Sequence, residues 1–275
     1  MKQFKVGLQL YSVRDDMASD FAGTLKAVKE AGYDYVEFAG YYGKSAEEVK
    51  ALLDEFGLIC PSVHQGPDLF LEKGQEAVDY LKTLGVKYSA VPWYGIENYQ
   101  NGNFDKTIEK FKTVGELLKK NGIKLTYHNH DFEFNYLDGE FILEKIYKAL
   151  PDLIEGEVDT CWARYAGVDP AAFLDKYAGK MKTLHLKDFT CKKLASGPVY
   201  ALIDDSGKAK EPESKEDNGF MFRPLGMGMQ DFPAILSAAE RAGVEYVFVE
   251  QDLSPDRPPL EAAKISRDYL KSLGI

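Results

Sequence analysis

This 275-residue sequence has little to cross-link it and little to draw it to a polyanion or a bilayer. Its three cysteines, Cys60, Cys161 and Cys191, are odd in number and far apart. None forms a CxxC pair, which gives no sign of a disulfide framework or a zinc knuckle and fits a reducing compartment. Basic residues are outnumbered, with 34 Lys and Arg against 44 Asp and Glu and a net charge of −10. No basic stripe offsets that excess, so nucleic acid is not an expected partner. No apolar run approaches the roughly 20 residues that span a bilayer. The opening MKQFKVGLQLYS has no long apolar core of a secretory leader. A cytoplasmic protein with no membrane partner is the expectation. A glycine-rich phosphate turn is also missing after the first apolar run, where Leu10-Tyr11-Ser12-Val13-Arg14 stands instead. That weighs against a doubly wound dinucleotide fold.

What is present is an alternation of short apolar runs and amphipathic segments, eight times over. Strands are predicted near 5–11, 34–39, 58–64, 87–92, 123–130, 154–159, 182–187 and 245–250. Helices are predicted near 20–31, 45–56, 70–84, 104–120, 139–149, 169–178, 230–242 and 259–272. Glycines at 32, 57, 85, 122 and 243 punctuate helix ends. Eight βα units in a chain of this length predict one (β/α)8 barrel domain over residues 1–275. One stretch breaks the rhythm. Residues 190–225, with the polar run DDSGKAKEPESKEDNG, form a long insertion after strand seven. It leaves from the end of the barrel where active sites are built, so it reads either as surface decoration or as a lid.

Strand parity then singles out the chemistry. Side chains alternate between the two faces of a strand. In TLHLKD, Leu184 and Leu186 oppose His185 and Lys187; in YVFVE, Val247 and Val249 oppose Glu250. In EGEVDT, Val158 opposes Glu157 and Asp159; Val36 opposes Glu37, and Val63 opposes His64. Helices between the strands cover the apolar face, so the polar face points into an enclosed centre. Titratable groups buried there must be paired, hydrated or metal-bound. Glu133, Asp159, His185 and Glu250 each lie at or just past the end of such a run. Three carboxylates and an imidazole make a ligand set for one hard or borderline divalent cation.

The segments YHNHDFEF (127–134), DTCW (159–162), HLKD (185–188) and VEQD (249–252), with GLQLYSVRDD at 7–16, resemble the xylose isomerase-like TIM barrels, in their sugar isomerase and epimerase branch. The resemblance runs along the whole chain in order. It implies one divalent metal held by Glu133, Asp159, His185 and Glu250, with Mn²⁺ favoured and Mg²⁺, Co²⁺ or Zn²⁺ as alternatives. Glu133 lies several residues past its strand, so His128 or His130 can stand in for it. It further implies a small carbohydrate substrate and is compatible with a homo-oligomer.

The expected activity is a metal-dependent sugar isomerase or epimerase. The metal would polarise a keto-sugar carbonyl and stabilise an enediolate while Glu133 and Glu250 move the proton as catalytic bases. Lys187 is expected to face the developing oxyanion. His64, His130, Glu37, Trp162 and Arg223 are expected against the substrate, with Gly226-Met227-Gly228 as a weak phosphate signal. The same enediolate can lose a β-substituent, so a dehydratase or lyase, inosose-dehydratase-like or cleaving 3-keto-glycosides, is the alternative. A non-catalytic sugar-binding protein is the reading from another class. An endonuclease IV-like multi-zinc site would need more than the four histidines here.

Overall fold

Eight parallel strands close on themselves in the computed structural model, which describes residues 4–194 and 218–275. In chain order they are β1 (Lys5–Gln9), β2 (Tyr35–Phe38), β3 (Ile59–His64), β4 (Tyr88–Val91), β5 (Lys124–His128), β6 (Ile154–Asp159), β7 (Met181–Leu186) and β8 (Tyr246–Val249). Each pairs with its sequence neighbours, and β1 pairs with β8 to close the ring. The (β/α)8 barrel read from the sequence is the observed fold. No helix among the described residues is long and apolar enough to cross a membrane.

The outward-facing side chains build the main core. Val36, Val63, Val158, Leu184, Leu186, Val247 and Val249 are buried between the sheet and its helices. The helices start where local chemistry says they should. Ser45 and Glu48 form a reciprocal capping box at Ala46–Phe56, and Asp231 caps Phe232–Ala242 through the amide of Ala234. The predicted helix over 70–84 is two helices, Pro67–Lys73 and Gln75–Leu84, because Gly74 between them takes a positive φ of 53°. An unpredicted short helix, Thr160–Tyr165, follows β6 directly.

The inward faces are layered. Tyr35, Tyr88, Tyr246 and Phe248 pack together as an aromatic floor. Gly7 on β1 is required there: a Cβ at this position would come within 2.6 Å of the Phe248 ring. Toward the C-terminal mouth, the polar side chains Gln9, Glu37, Ser62, Ser89, Thr126, Glu157 and Thr183 are all fully buried. Strand register sets which of them meet, with Gln9 beside Glu37 and Asp159 beside His185.

Most of the predicted insertion, residues 195–217, lies outside the described residues. Its two ends are described. Asp188–Thr190 and Met221–Arg223 pair as an antiparallel ribbon, with Asp188 opposite Arg223. Phe220 and Phe222 then pack on Trp162, Tyr165 and Phe189 in a second apolar cluster beside the mouth.

Candidate active site and metal centre

Side chains from four consecutive barrel strands or their ends converge at the mouth. His128 ends β5, Asp159 ends β6, His185 lies in β7 and Glu250 follows β8. Each offers one ligand atom, and these atoms all lie within 4.8 Å of one another. All four residues are buried. His128 Nε2 is 3.4 Å from Asp159 Oδ2 and 3.8 Å from Glu250 Oε2. His185 Nδ1 is 2.9 Å from Glu250 Oε2.

The local backbone explains how Asp159 is aimed. Its Oδ1 accepts from the amide of Trp162 and caps the helix that begins at Thr160. Its own amide donates to Asn129 Oδ1, which ties β6 to the loop after β5. Turn-capping and ligation are therefore divided between the two oxygens, with Oδ2 left facing the cluster.

Glu133 is placed elsewhere. The loop after β5 turns back as a short 3-10 segment, Phe132–Phe134, and buries the Glu133 carboxylate completely. Its Oε1 accepts from Tyr127 Oη at 2.8 Å and its Oε2 from the amide of His130 at 2.8 Å. Tyr127 Oη is in turn 2.5 Å from Tyr99 Oη. The structure groups His128 with Asp159, His185 and Glu250 and leaves Glu133 outside the cluster. The donor set becomes two imidazoles and two carboxylates. A mixed set of imidazoles and carboxylates suits Mn²⁺, Co²⁺ or Zn²⁺ better than Mg²⁺.

Two further observations fit a cation at this group. Among the described residues, His128 Nδ1 and Nε2 are buried without a hydrogen-bond partner, and Asp159 Oδ2 accepts no hydrogen bond although Lys187 Nζ lies 3.2 Å from it. Burial and the neighbouring His185 and His64 rings push the His128 imidazole well below its ordinary pKa, so it is neutral and can ligate. Burial opposes ionisation of Glu250, but Lys187 and His185 more than offset it and hold the carboxyl well below its usual range.

A second group lies one layer deeper. Glu37, His64, Glu157 and His185 again bring ligand atoms within 4.8 Å. Glu37 Oε2 accepts from Gln9 Nε2 at 2.7 Å and lies 2.7 Å from His185 Nε2. His64 Nε2 is 3.2 Å from Glu157 Oε2 and 3.3 Å from Glu37 Oε2. Despite burial, His64 and His185 pull the Glu37 carboxyl down to about 2. Glu37 is thus a fixed anion behind His185. A carboxylate behind a ligating imidazole fixes its tautomer and leaves the other ring nitrogen for the metal. Parity placed Glu37 and Glu157 inside the barrel; their pairing with His185 and His64 needs the register.

Lys187 is the buried cation of the site, with 1% of its surface exposed. Its Nζ lies 2.8 Å from Asp252, 2.9 Å from Glu250 and 3.2 Å from Asp159. Burial works against the ammonium, yet these carboxylates raise it well above its ordinary value. Asp252 was missed by the sequence reading, although it lies two residues past Glu250 in the quoted VEQD. His130 is buried beside His128, with ring centroids 5.1 Å apart. Trp162 stands 5.7 Å from His130 and 5.3 Å from Lys187 Nζ, but it is fully covered. Arg223 is directed to Asp256 at 3.2 Å and is not part of either group.

The Gly226-Met227-Gly228 turn holds an internal anion. Asp188 Oδ2 accepts from the amides of Gly226 and Gly228, and Oδ1 from those of Phe189 and Gln230. A Cβ at position 228 would fall 2.2 Å from Asp188 Oδ1, so the turn needs glycine there. These amides form the kind of nest that binds phosphate elsewhere; here a carboxylate of the chain fills it.

The model of the xylose isomerase-like TIM barrel family matches residues 25–273. The chain belongs to that family. Among curated relatives of this xylose isomerase-like barrel, an inosose dehydratase of Mesomycoplasma hyopneumoniae is 24% identical, over 99% of this chain and 97% of that one. A solved sugar phosphate isomerase/epimerase of Parabacteroides distasonis is 25% identical, with a TM-score of 0.76 over 99% of this chain and 95% of that one. A probable 3-DHS dehydratase of Bacillus anthracis shares the fold at 11% identity, with a TM-score of 0.70 over 97% of this chain and 98% of that one.

Proposed function

We propose that this chain is a divalent-metal-dependent enzyme that removes a proton next to the carbonyl of a keto-sugar or a related cyclic ketone, and then expels a hydroxyl or alkoxy group from the β carbon. The observation that carries this reading is the convergence of His128, Asp159, His185 and Glu250 at the barrel mouth beside a buried lysine. A divalent cation held by those four residues supplies Lewis acidity toward the carbonyl oxygen.

The remaining roles belong to the chain. Glu250 is the ionised carboxylate within the group and accepts the proton. Lys187, fixed by Asp252, presents positive charge where an oxyanion develops. His64 supplies a proton to the departing oxygen. Burial lowers its affinity for that proton, but Glu37 and Glu157 raise it above the ordinary imidazole value. Neutral His130 hydrogen-bonds a substrate hydroxyl; its imidazole is held well below the usual range by burial, and further by His128 and Lys187.

Elimination is preferred to isomerisation for a geometric reason. An epimerase or isomerase working through Glu133 and Glu250 needs both carboxylates at the substrate. Glu133 is occupied by Tyr127 and the His130 amide. The relative named inosose dehydratase adds support. An isomerase or epimerase is the second reading, favoured by the Parabacteroides distasonis structure described by that activity.

The test combines metal content with exchange in D₂O. About one divalent ion per chain is expected, and Asp159→Ala or His185→Ala should remove it. A panel of keto-sugars and ketocyclitols is then incubated with the metal-loaded protein. The wild type should incorporate deuterium beside the carbonyl and release water or an alcohol. Glu250→Gln should keep some metal and lose about 10²–10⁴-fold of the exchange rate. Exchange with the carbonyl moved to the neighbouring carbon or one stereocentre inverted, and nothing expelled, would favour the isomerase or epimerase. A wild type that binds sugars but exchanges no proton would instead be a binding protein.

A further inference from the structure

The hydrogen-bond ladders of the barrel stop just short of the metal group. Between β5 and β6 the last register pair is His128 with Glu157, and between β6 and β7 it is Asp159 with His185. On its β5 side Asp159 lies two residues beyond that ladder, and Lys187 lies two beyond the other. A bound metal fixes its ligand distances to within about 0.2 Å. Strand pairing alone does not hold these chain ends to that tolerance.

Two buried side chains take over where the ladders end. Asn129, next after His128, accepts from the Asp159 amide through Oδ1 at 3.1 Å. Its Nδ2 lies 3.5 Å from the Asp159 carbonyl oxygen and 3.3 Å from that of His130. One side-chain amide thus stands against both backbone polar groups of Asp159, as a neighbouring strand would. Thr160 repeats the arrangement one strand on. Its Oγ1 donates to the His185 carbonyl oxygen at 3.0 Å and lies 3.5 Å from the Lys187 amide nitrogen. Neither side chain has any exposed surface, and neither is a member of the ligand group. Asn129 joins the chain end bearing His128 to Asp159, and Thr160 joins that of Asp159 to His185. Glu250 needs no such help, since its own amide donates to the Leu186 carbonyl at 3.1 Å.

We propose that Asn129 and Thr160 are positioning residues for the divalent ion: they set the separations of His128, Asp159 and His185, and so govern how tightly and in what geometry the ion is held. The proposal rests on the metal reading of the site and adds the side chains that aim its ligands. Removing either side-chain bond leaves every ligand atom present but frees its backbone to drift. Partners that orient a ligand from behind are typically worth about 10–100-fold in metal affinity.

Mn²⁺ and Co²⁺ alone are the probes. Wild type, Asn129→Ala, Thr160→Val and Thr160→Ser are titrated with each ion and followed by calorimetry and, for Co²⁺, by visible absorption. Thermal unfolding without metal is recorded beside them. Thr107→Val is the control: Thr107 is also buried, on the outer helix Phe104–Lys120, and its hydroxyl donates to the backbone oxygen of Asn98. Asn129→Ala and Thr160→Val should each weaken binding about 10–100-fold and change the Co²⁺ spectrum. Thr160→Ser keeps the hydroxyl and should match the wild type. Thr107→Val should lose stability without metal yet bind both ions as the wild type does. A variant that keeps the wild-type affinity and Co²⁺ spectrum, or loses no more affinity than Thr107→Val, overturns the positioning role of its residue. Should Asn129→Ala fail to fold, the contrast between Thr160→Val and Thr160→Ser decides the proposal. A wild type that binds neither ion overturns the metal reading itself, and the proposal with it.

Discussion

Glu133 is a fully buried carboxyl held between a tyrosine hydroxyl and a backbone amide. Burial pushes its pKa up to about 8, against the pull of those hydrogen bonds. The folded protein therefore holds a proton that the unfolded chain has released above about pH 4.5. Stability contributed by that proton is complete below the unfolded value and is lost as pH rises through about 8. Each unit of displacement corresponds to about 1.4 kcal/mol, so the loss is substantial. Thermal unfolding of the wild type should fall in temperature from pH 6 to pH 9. In Glu133→Gln the slope should flatten, because an amide mimics the protonated acid without titrating. A variant with the wild-type slope would place the ionisation elsewhere. The inward placement of Asp159, His185 and Glu250 was legible in the sequence because a strand has a strict period of two. The place of the Glu133 carboxylate was not, because a 3-10 turn beyond the strand gives no such direction to its side chains. The contact between Glu37 and His185 was hidden for another reason. It joins residues 148 positions apart, and only barrel closure brings them together.

At the scale of elements, the βα alternation was legible almost throughout, since each helix and strand advertises its period and its caps. The segment after β7 was not, because its fixing points are single contacts. Asp188 gathers four backbone amides and ties residues 226–230 to the strand end. Lys192 and Lys193 reach Asn218 through their amides, so the two ends of the insertion meet. Joining Leu194 to Asn218 with a short glycine linker should leave the unfolding temperature within about 2–4 °C of wild type, the equivalent of about 1 kcal/mol. If residues 195–217 act on the substrate, the same deletion should raise KM or lower kcat. Asp188→Ala is expected to be worse for stability. It leaves four amides without their acceptor, of which that of Phe189 belongs to a buried residue, at about 1–3 kcal/mol for a buried unsatisfied group, and should lower the unfolding temperature by several degrees in calorimetry.

For the whole molecule, the interior charge is lopsided. Among the described residues, Glu37, Glu157, Asp159, Glu250 and Asp252 are buried against one buried lysine, Lys187, with His64 and His185 sharing the load. A divalent cation bound only by the folded state stabilises it by about 2.7 kcal/mol at one hundred times its dissociation constant. Added Mn²⁺ should raise the unfolding temperature by several degrees and EDTA should reverse the rise. Asp159→Ala should show neither effect. The barrel interior also has a direction. Its lower end is sealed by Tyr35, Tyr88, Tyr246 and Phe248, with Gly7 pressed against the last of these. Traffic through the site is therefore one-way-in and the same-way-out. Whatever is made at the mouth must leave before the next molecule enters, and any product that lingers there bars the door to substrate.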